Sequence, residues 1–478
     1  MVNGTENLLA ANMMEFGDAS PLLRFVEPAA AAAAAAYRQE LLGEIGRLAS
    51  LACLDTKPHW GHLSPGCAIC TRGEWSCLFI NGICNGRCFY CPTSQTAKSE
   101  PMTNSIRFPN PQDYIDYLAA FGFRGASITG GEPLLTFDRT LLYVRKIKKR
   151  FGSKIHLWLY TNGILASEDK IGQLADAGLD EIRFDISAGN YSLEHLALAR
   201  GLIPVITVEI PAIPEDLQLL IDLLPRLAEC GVSHLNLHHM RCTPHNLKHL
   251  VDRPYTLLPG PKVTVLESEL TALKVLIAAS RTGSGVAVNY CSYAYKSRFQ
   301  GRAARMRAAT RLVRPWEDIT EAGYIRTLCL KGSDQALARA AESLSAGAGN
   351  SDRWRREKGG GLLFGQELWS LADVGGDLAL EVSYATPRLQ NAVSYRGSHE
   401  EIALNRKRTI VGERQTSLAN RCLSPAAQKE FARLFLAGAG EAGGSAPANV
   451  SGMPGGIGTE FSDLLAFERL AAGLSRYC

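Results

Sequence analysis

Three cysteines in one short run constrain this chain more than any other feature. Cys84, Cys88 and Cys91 occur at the spacing C-x3-C-x2-C, directly after the apolar run Leu78-Phe79-Ile80. Thiolates at this spacing can bind three irons of a four-iron cluster, which leaves the fourth iron open to a ligand that is not protein. A zinc knuckle or a set of buried free thiols is the alternative. The cluster is the favoured interpretation.

The chain around and after this loop alternates between β-rich and helix-length segments, from about residue 75 to residue 292. The β-rich segments after the loop are residues 126–129, 155–160, 181–186, 205–210, 234–238 and 286–290. Strands separated by helical patterns indicate a parallel sheet built from βαβ units. Six or seven units predict an α/β fold, a partial (β/α)6-type barrel with its chemistry at the C-terminal ends of the strands.

Three segments are expected along the chain. Residues 1–74 form an N-terminal helical extension with a cysteine-rich segment, and its Ala-rich run predicts a helix from about Ala29 to Ser50. Residues 75–300 form the partial barrel. Residues 301–478 form a smaller C-terminal α+β accessory domain with a strand near 378–384, a linker at 345–361, a flexible Gly/Ala-rich segment at 437–458 and a closing helix at 461–475.

Composition narrows the classes of function. The chain has 478 residues, of which 21% are charged, and a net charge of +4, too small to indicate nucleic acid. No apolar run is long enough to predict a membrane span. The first residues lack the basic region of a signal peptide, and 13 cysteines without such a signal fit metal binding in a reducing cytoplasm. We expect a cytoplasmic protein that binds neither nucleic acid nor membrane.

A second motif lies one βα unit after the cysteine loop. Thr129-Gly130-Gly131-Glu132-Pro133 ends the next strand, where two glycines let the backbone approach a ligand closely. Together with an aromatic residue, Tyr90, just before Cys91, the two motifs resemble the radical S-adenosylmethionine (SAM) superfamily. The resemblance covers about residues 80 to 240.

The resemblance implies an enzyme and its cofactors. Cys84, Cys88 and Cys91 would hold a [4Fe–4S] cluster whose open iron chelates SAM, and reductive cleavage would yield a 5'-deoxyadenosyl radical. The radical would modify an unactivated position of a small-molecule or peptide substrate, with electrons from a reductant such as flavodoxin or ferredoxin. The cofactor-binding residues implied are Tyr90 (backbone contact to the adenine), Gly130, Gly131 and Glu132 (the methionine end of SAM), Asn162 and Ser187.

A second set of cysteines precedes the loop. Cys67 and Cys70 are separated by two residues, a usual half-site for zinc or iron, and Cys77 is a candidate third ligand. Cys53, Cys291 and Cys329 are candidates for a fourth. A structural mononuclear metal is favoured here, an auxiliary cluster comes next, and free thiols are the third interpretation.

Two further functions stay open. The layout of Cys67, Cys70 and Cys77 loosely resembles the radical SAM subgroup that contains the methanogen arginine C-methylase of methyl-coenzyme M reductase. That resemblance implies a cobalamin-dependent C-methyltransferase, although no cobalamin-binding D-x-H-x-x-G loop is present in the sequence. A non-catalytic iron–sulfur sensor or scaffold is the second alternative, and it would require the intact Gly130–Pro133 motif to be vestigial.

Polar residues late in the barrel are candidates for the substrate side. His238 and His239 alternate on one strand, so one of them should face the cavity, unless both are ordinary core histidines. Cys291 is a candidate hydrogen donor, metal ligand or buried thiol. A basic stretch follows, which is either the solvated face of a helix or a surface for an anionic substrate; its members are Lys296, Arg298, Arg302, Arg305, Arg307, Arg311 and Arg314.

Overall fold

A computed structural model describes residues 2–348, 352–372, 377–394, 397–436 and 457–477. The chain divides into two compact units. The first contains residues 1–103, 107–300 and 472–478, and the second contains residues 104–106 and 301–471. The segment predicted as an N-terminal extension therefore belongs to the same unit as the barrel segment, and so do the last residues of the chain.

The first 300 residues contain fifteen strands and eleven α-helices. The strands are β1 (Ser50–Ala52), β2 (Lys57–Trp60), β3 (Trp75–Phe79), β4 (Gly82–Ile83), β5 (Thr96–Ala97), β6 (Met102–Thr103), β7 (Ile106–Arg107), β8 (Gly125–Thr129), β9 (His156–Thr161), β10 (Glu181–Phe184), β11 (Val205–Pro211), β12 (His234–His238), β13 (Leu257–Leu258), β14 (Thr264–Val265) and β15 (Ala287–Cys291). The helices are α1 (Val2–Phe16), α2 (Pro28–Leu48), α3 (Pro65–Thr71), α4 (Pro111–Ala120), α5 (Phe137–Phe151), α6 (Glu168–Asp176), α7 (Glu194–Ala199), α8 (Leu217–Glu229), α9 (Leu247–Leu250), α10 (Leu266–Thr282) and α11 (Tyr293–Tyr295).

Seven parallel strands form the centre of the large sheet, in the order β3-β8-β9-β10-β11-β12-β15. The outer edge of β15 pairs with β2 in antiparallel register, and the outer edge of β3 pairs with β6. The α/β prediction and the partial barrel are confirmed. Pairing of β2 with β15 joins the N-terminal segment to the large sheet.

Local sequence explains these elements. The parallel strands are nearly continuous apolar runs because both faces of such a sheet are covered, and Leu78, Ile128 and Leu157 are fully buried. The predicted Ala-rich helix is α2, which begins at Pro28, a residue suited to the first helical turn. No helix among the described residues is both long and apolar enough to cross a membrane.

In the residues that the structure describes, the second unit is an antiparallel sheet with four α-helices. Its strands are β16 (Glu317–Ile319), β17 (Ile325–Gly332), β18 (Trp354–Arg356), β19 (Leu362–Phe364), β20 (Leu378–Gln390), β21 (Ser398–Ala403) and β22 (Thr409–Cys422). Its helices are α12 (Gly301–Leu312), α13 (Asp334–Ala348), α14 (Pro425–Phe431) and α15 (Ile457–Glu468). The predicted α+β class is confirmed.

Local predictions in the second unit are partly wrong. The segment 345–361, predicted as a linker, includes the end of α13 and all of β18, because its apolar and aromatic residues pack on the core of this unit. The closing helix predicted at 461–475 ends at Glu468. The predicted flexible segment 437–458 lies outside the described residues, apart from 457–458 at the start of α15.

Candidate active site

A cavity of about 520 Å³ lies at the C-terminal ends of the parallel strands. The strand ends contribute residues from five neighbouring strands of the sheet: Thr129 of β8, Thr161 of β9, Asp185 after β10, Glu209 of β11 and His238 of β12. The volume is within the range of about 300–1,000 Å³ typical of small-molecule sites. The ends of the parallel strands thus bring polar side chains together at one cavity, as expected for this type of fold.

The cysteine loop lies at the same cavity. Cys84, Cys88 and Cys91 all line it, and each is partly exposed. A Cβ added to Gly86 would lie 3.5 Å from the sulfurs of both Cys84 and Cys88, so the loop wraps closely around this glycine. The amide Nε2 of Gln95 donates to the sulfur of Cys91 at 2.6 Å. The structure therefore brings together the three cysteines that the spacing predicts as one ligand set.

The donor set fits an iron–sulfur cluster better than a single metal ion. Among the described residues, no three His, Cys, Asp or Glu side chains converge closely enough to hold one ion. A four-iron cluster offers separate irons at its corners and so accepts thiols that are spread along a loop. Burial raises the pKa of Cys88 to about 11, so a bound metal is what would keep this thiol ionised at neutral pH.

The two glycines after β8 are required by close backbone contacts. A Cβ added to Gly131 would lie 1.9 Å from the carbonyl oxygen of Ile83, and one added to Gly130 would lie 2.6 Å from that of Asn81. Asn81 also donates to the carbonyl oxygen of Glu132 at 3.0 Å. The turn after β8 is thereby held directly against the segment that leads into the cysteine loop.

The Glu132 side chain has a role that the motif alone does not reveal. It is 1% exposed, and its carboxylate accepts hydrogen bonds from Thr161 Oγ1 at 2.8 Å and from the backbone N–H groups of Asn162 at 2.8 Å and Leu134 at 2.9 Å. Burial raises its pKa, although these hydrogen bonds oppose the rise. The carboxylate therefore joins the turn after β8 to the end of β9, and the contact of Glu132 with the SAM amino group stays a prediction.

Tyr90 connects the cysteine loop to the end of β10. Its hydroxyl donates to Asp185 Oδ2 at 3.0 Å and lies 2.6 Å from Ser187 Oγ. Its carbonyl oxygen accepts from Asn246 Nδ2 at 3.0 Å. Asn162, on the neighbouring strand end, donates to Asn85 Oδ1 at 2.9 Å and so also holds the loop. Of the predicted residues, Tyr90 and Asn162 line the cavity, and Ser187 contacts the Tyr90 hydroxyl.

A charged network also lines the cavity, formed by Arg183, Glu209, His238 and Lys296. Glu209 accepts from Arg183 Nη1 at 2.6 Å and Asn236 Nδ2 at 3.0 Å, and it is in short contact with His238 Nε2. Lys296 Nζ lies 2.6 Å from His238 Nδ1. Burial lowers the pKa of His238, whereas Arg183 and His238 hold the pKa of Glu209 well below its usual range. These pKa shifts favour a neutral imidazole at His238, which donates to Glu209 and accepts from the Lys296 ammonium.

Both histidines of the predicted pair line the cavity. His239 Nε2 contacts the carbonyl oxygen of Val265 at 2.9 Å, so this ring is anchored in the core. Of the basic stretch, Lys296 lines the cavity. Arg302 and Arg305 instead donate to backbone carbonyl groups within the second unit, those of Glu321 and Ala322.

The three upstream cysteines lie on two different elements. Cys77 lines the cavity from β3, whereas Cys67 and Cys70 are on α3 and their sulfurs accept hydrogen bonds from other residues. The side chains of this site that sequence reasoning missed are Gln95 and Arg183. Neither belongs to a motif, and Arg183 reaches its partner Glu209 only because β10 and β11 are adjacent.

Comparison with known proteins agrees with this geometry. A family profile described as Radical SAM superfamily matches residues 78–202. A putative glycyl-radical enzyme activating enzyme of Methanocaldococcus jannaschii is 30% identical over 298 residues, which cover 59% of this chain and 77% of that protein. A GTP 3',8-cyclase of Nautilia profundicola is 30% identical over 109 residues, and the chain spans 33% of its length.

Solved structures show weaker overall similarity. The radical SAM methyltransferase TsrM from Kitasatospora setae, with cobalamin and a [4Fe–4S] cluster bound, has a TM-score of 0.29 and 16% identity over 37% of this chain and 39% of that one. SuiB from Streptococcus suis has a TM-score of 0.32 and 13% identity over 54% of this chain and 60% of that one.

The extent of the match to the Methanocaldococcus protein, together with the family profile over the cysteine loop and the following strands, identifies the family. The cofactors of that family are a [4Fe–4S] cluster and SAM. The chain belongs to the radical SAM superfamily and is an enzyme of that class.

Proposed function

We propose that this enzyme holds its [4Fe–4S] cluster on Cys84, Cys88 and Cys91 and cleaves SAM reductively at that cluster. The radical then modifies an unactivated position of a small-molecule or peptide substrate. The observation that carries the proposal is that all three cysteines and the turn Gly130–Glu132 line one cavity. When bound, the reduced cluster supplies the electron that splits SAM into methionine and a 5'-deoxyadenosyl radical.

Residues around the cavity would position SAM and separate it from solvent. The backbone of Gly130 and Gly131 lines the cavity beside the cysteine loop. A side chain at either position would collide with Asn81 or Ile83. Tyr90 and Asn162 brace the loop from two strand ends. A braced loop and a bounded cavity favour reaction with the intended substrate, because a radical that meets solvent or stray groups is lost.

The charged network suits the binding of a substrate that carries an anionic group. Arg183 is already paired with Glu181 and Glu209. The Lys296 ammonium donates to His238, and its two other N–H groups are available for a carboxylate or phosphate in the cavity. The His238–Glu209 contact fixes the imidazole that orients Lys296. We infer that the anionic end of the substrate binds to Lys296.

A second candidate follows from the relative in Methanocaldococcus, whose name describes activation of a glycyl-radical enzyme. If this chain acts likewise, its substrate is a glycine in a partner protein, from which the radical would abstract a hydrogen atom. The 77% coverage of that relative favours this candidate over the cobalamin-dependent methyltransferase, which no local motif supports.

The test is SAM cleavage under anaerobic conditions. The protein is reconstituted with iron and sulfide, reduced with dithionite and mixed with SAM, and 5'-deoxyadenosine is measured. We expect 5'-deoxyadenosine from the wild type and from Cys422→Ala, a matched control at an exposed cysteine, and none from Cys88→Ala. Equal yields from Cys88→Ala and the wild type would overturn the proposal.

A further inference from the structure

A buried lysine in the first unit has no carboxylate partner. Lys57 on β2 is 1% exposed, and within the described part of the chain no carboxylate is within ion-pair distance of its ammonium. The buried guanidinium groups of the same unit differ, since Arg38 pairs with Glu269 at 2.9 Å and Arg183 with Glu181 at 2.8 Å. A buried charge without compensation is strongly destabilising, so a negative charge is expected close to Lys57.

The ammonium of Lys57 lies over an aromatic ring whose hydroxyl group contacts Cys70 Sγ. The Lys57 ammonium lies 4.3 Å from the centre of the Tyr295 ring. Four thiols, those of Cys53, Cys67, Cys70 and Cys291, interact electrostatically with the ammonium, and so do the imidazoles of His59 and His238. We call these four cysteines, with Lys57 and Tyr295, the Lys57 site. It contains none of Cys84, Cys88 and Cys91.

The fold explains how four distant cysteines meet. Strands β2 and β15 are antiparallel with Asn289 opposite His59, and continuing this register sets Cys291 opposite Lys57. Ser292 Oγ donates to the carbonyl oxygen of Thr56 at 2.5 Å, which fixes the same pairing.

The other three cysteines come from the chain on either side of β2. Cys67 and Cys70 are three residues apart on α3 and so share one face of the helix. Cys53 belongs to a turn in which three consecutive residues have positive φ angles of 55°, 51° and 60°. Non-glycine residues rarely adopt this conformation, and such strain collects at functional sites.

Hydrogen-bond donors are directed at two of the sulfurs. Cys67 Sγ accepts from Asn236 Nδ2 at 3.3 Å and from Arg183 Nη1 at 3.6 Å. Cys70 Sγ accepts from Tyr295 OH at 3.1 Å and Gln300 Nε2 at 3.2 Å. A neutral thiol is a weak acceptor, whereas a metal-bound thiolate is negatively charged and its cluster is tuned by such donors. The surroundings of Cys67 and Cys70 are those of ligating sulfurs.

We propose that Cys53, Cys67, Cys70 and Cys291 ligate an auxiliary iron–sulfur cluster and that Lys57 compensates part of its negative charge. An iron–sulfur cluster fits better than one zinc ion, because no three ligating side chains among the described residues converge at the distances of a single ion. Cys77, predicted as a ligand, lines the active-site cavity from β3, and Cys291, which the register of β2 and β15 sets opposite Lys57, takes its place. With four protein ligands the cluster has no open iron, so its role is structural or in electron transfer.

The test measures iron and acid-labile sulfide in a full-length variant in which Cys84, Cys88 and Cys91 are all replaced by alanine. After anaerobic reconstitution with iron and sulfide we expect about four irons and about four sulfides per chain, and about twice these amounts in the wild type. Adding Cys70→Ala or Cys291→Ser to the triple variant should remove them. Adding Cys77→Ala or Cys230→Ala should leave them in place.

Three results would overturn the proposal. The triple variant would hold no iron, or it would hold iron or added zinc without sulfide, or Cys77→Ala would lose as much iron as Cys70→Ala. Lys57→Met provides a measurement that does not depend on ligand removal. It should keep the iron and sulfide but shift the reduction potential of the auxiliary cluster to more negative values, because a nearby positive charge stabilises the reduced form. An unchanged potential would show that Lys57 does not face a cluster.

Discussion

The hydroxyl group of Tyr90 donates to Asp185 Oδ2 at 3.0 Å, and this bond joins the cysteine loop to the end of β10. A hydrogen bond to a charged acceptor contributes about 1.5–3 kcal/mol, and burial raises the pKa of Tyr90, so the hydroxyl stays a donor. We expect Tyr90→Phe to keep the ring and the cluster iron but to reduce the rate of SAM cleavage about tenfold or more.

The control for Tyr90→Phe is Tyr255→Phe. Tyr255 also donates to a carboxylate, Glu215 Oε2 at 2.6 Å, but it is not among the residues that line the cavity. Its loss should leave SAM cleavage within about twofold of the wild type. Equal rates for Tyr90→Phe and the wild type would show that the bond to Asp185 does not position the loop.

Gly131→Ala tests the close approach of the turn to the loop segment. The new Cβ would lie 1.9 Å from the Ile83 carbonyl oxygen, so the backbone has to move. Overpacking of this kind costs about 1–3 kcal/mol or more, and we expect weaker SAM binding in equilibrium dialysis. Gly43→Ala, in α2 with open space around it, is the matched control and should be neutral or slightly stabilising. Wild-type affinity in Gly131→Ala would contradict the contact.

Arg183→Met tests the buried charge network. Arg183 is 3% exposed and pairs with Glu181 at 2.8 Å and Glu209 at 2.6 Å. Removing it leaves two buried carboxylates without their guanidinium partner, which should lower the free energy of unfolding by about 3–5 kcal/mol. Arg72→Met breaks an exposed pair with Glu74 and should cost less than about 1 kcal/mol. Urea titration of both variants measures the difference, and equal losses would refute the network's role in stability.

The burial of His239 predicts that the folded protein becomes less stable as the pH falls. Burial lowers its pKa below the ordinary value of 6.5, so the folded state prefers the neutral ring. Its contribution is present above pH 6.5 and is lost as the pH falls from 6.5 through the lower pKa of the folded state.

The measurement is the melting temperature of the reconstituted protein between about pH 8 and about pH 5.5. It should fall as the pH is lowered, and the fall should be smaller in His239→Gln. It should not vanish, since burial also lowers the pKa of His238 and His234. The exposed control His249→Gln should match the wild type. A profile in His239→Gln that is identical to the wild type would contradict the assignment.

The parts of this structure that local sequence encodes could be predicted. Alternating apolar and helical segments determine the parallel sheet, because strands buried on both faces need continuous apolar residues. The spacing of Cys84, Cys88 and Cys91 and the two glycines at 130 and 131 are local as well, since each depends on backbone geometry within one loop.

The parts that depend on distant pairing could not be predicted. Lys57 meets Cys291 only because β2 pairs with β15, and no feature near Lys57 indicates that register. The pairing of Arg183 with Glu209 could not be predicted, because it depends on β10 lying beside β11 in the sheet. For Glu132 the turn was predicted, but its partners Thr161 and Asn162 belong to the next strand.

The most direct test of the central claim is an electron paramagnetic resonance spectrum of the reduced cluster, with and without SAM. The sample is the Cys67→Ala/Cys70→Ala variant, which removes the proposed auxiliary ligands and leaves Cys84, Cys88 and Cys91 in place. Because three cysteines leave one iron open, SAM should bind that iron and shift the g-values of the spectrum. A cluster signal that SAM leaves unchanged would contradict the assignment of these three cysteines to a SAM-binding cluster.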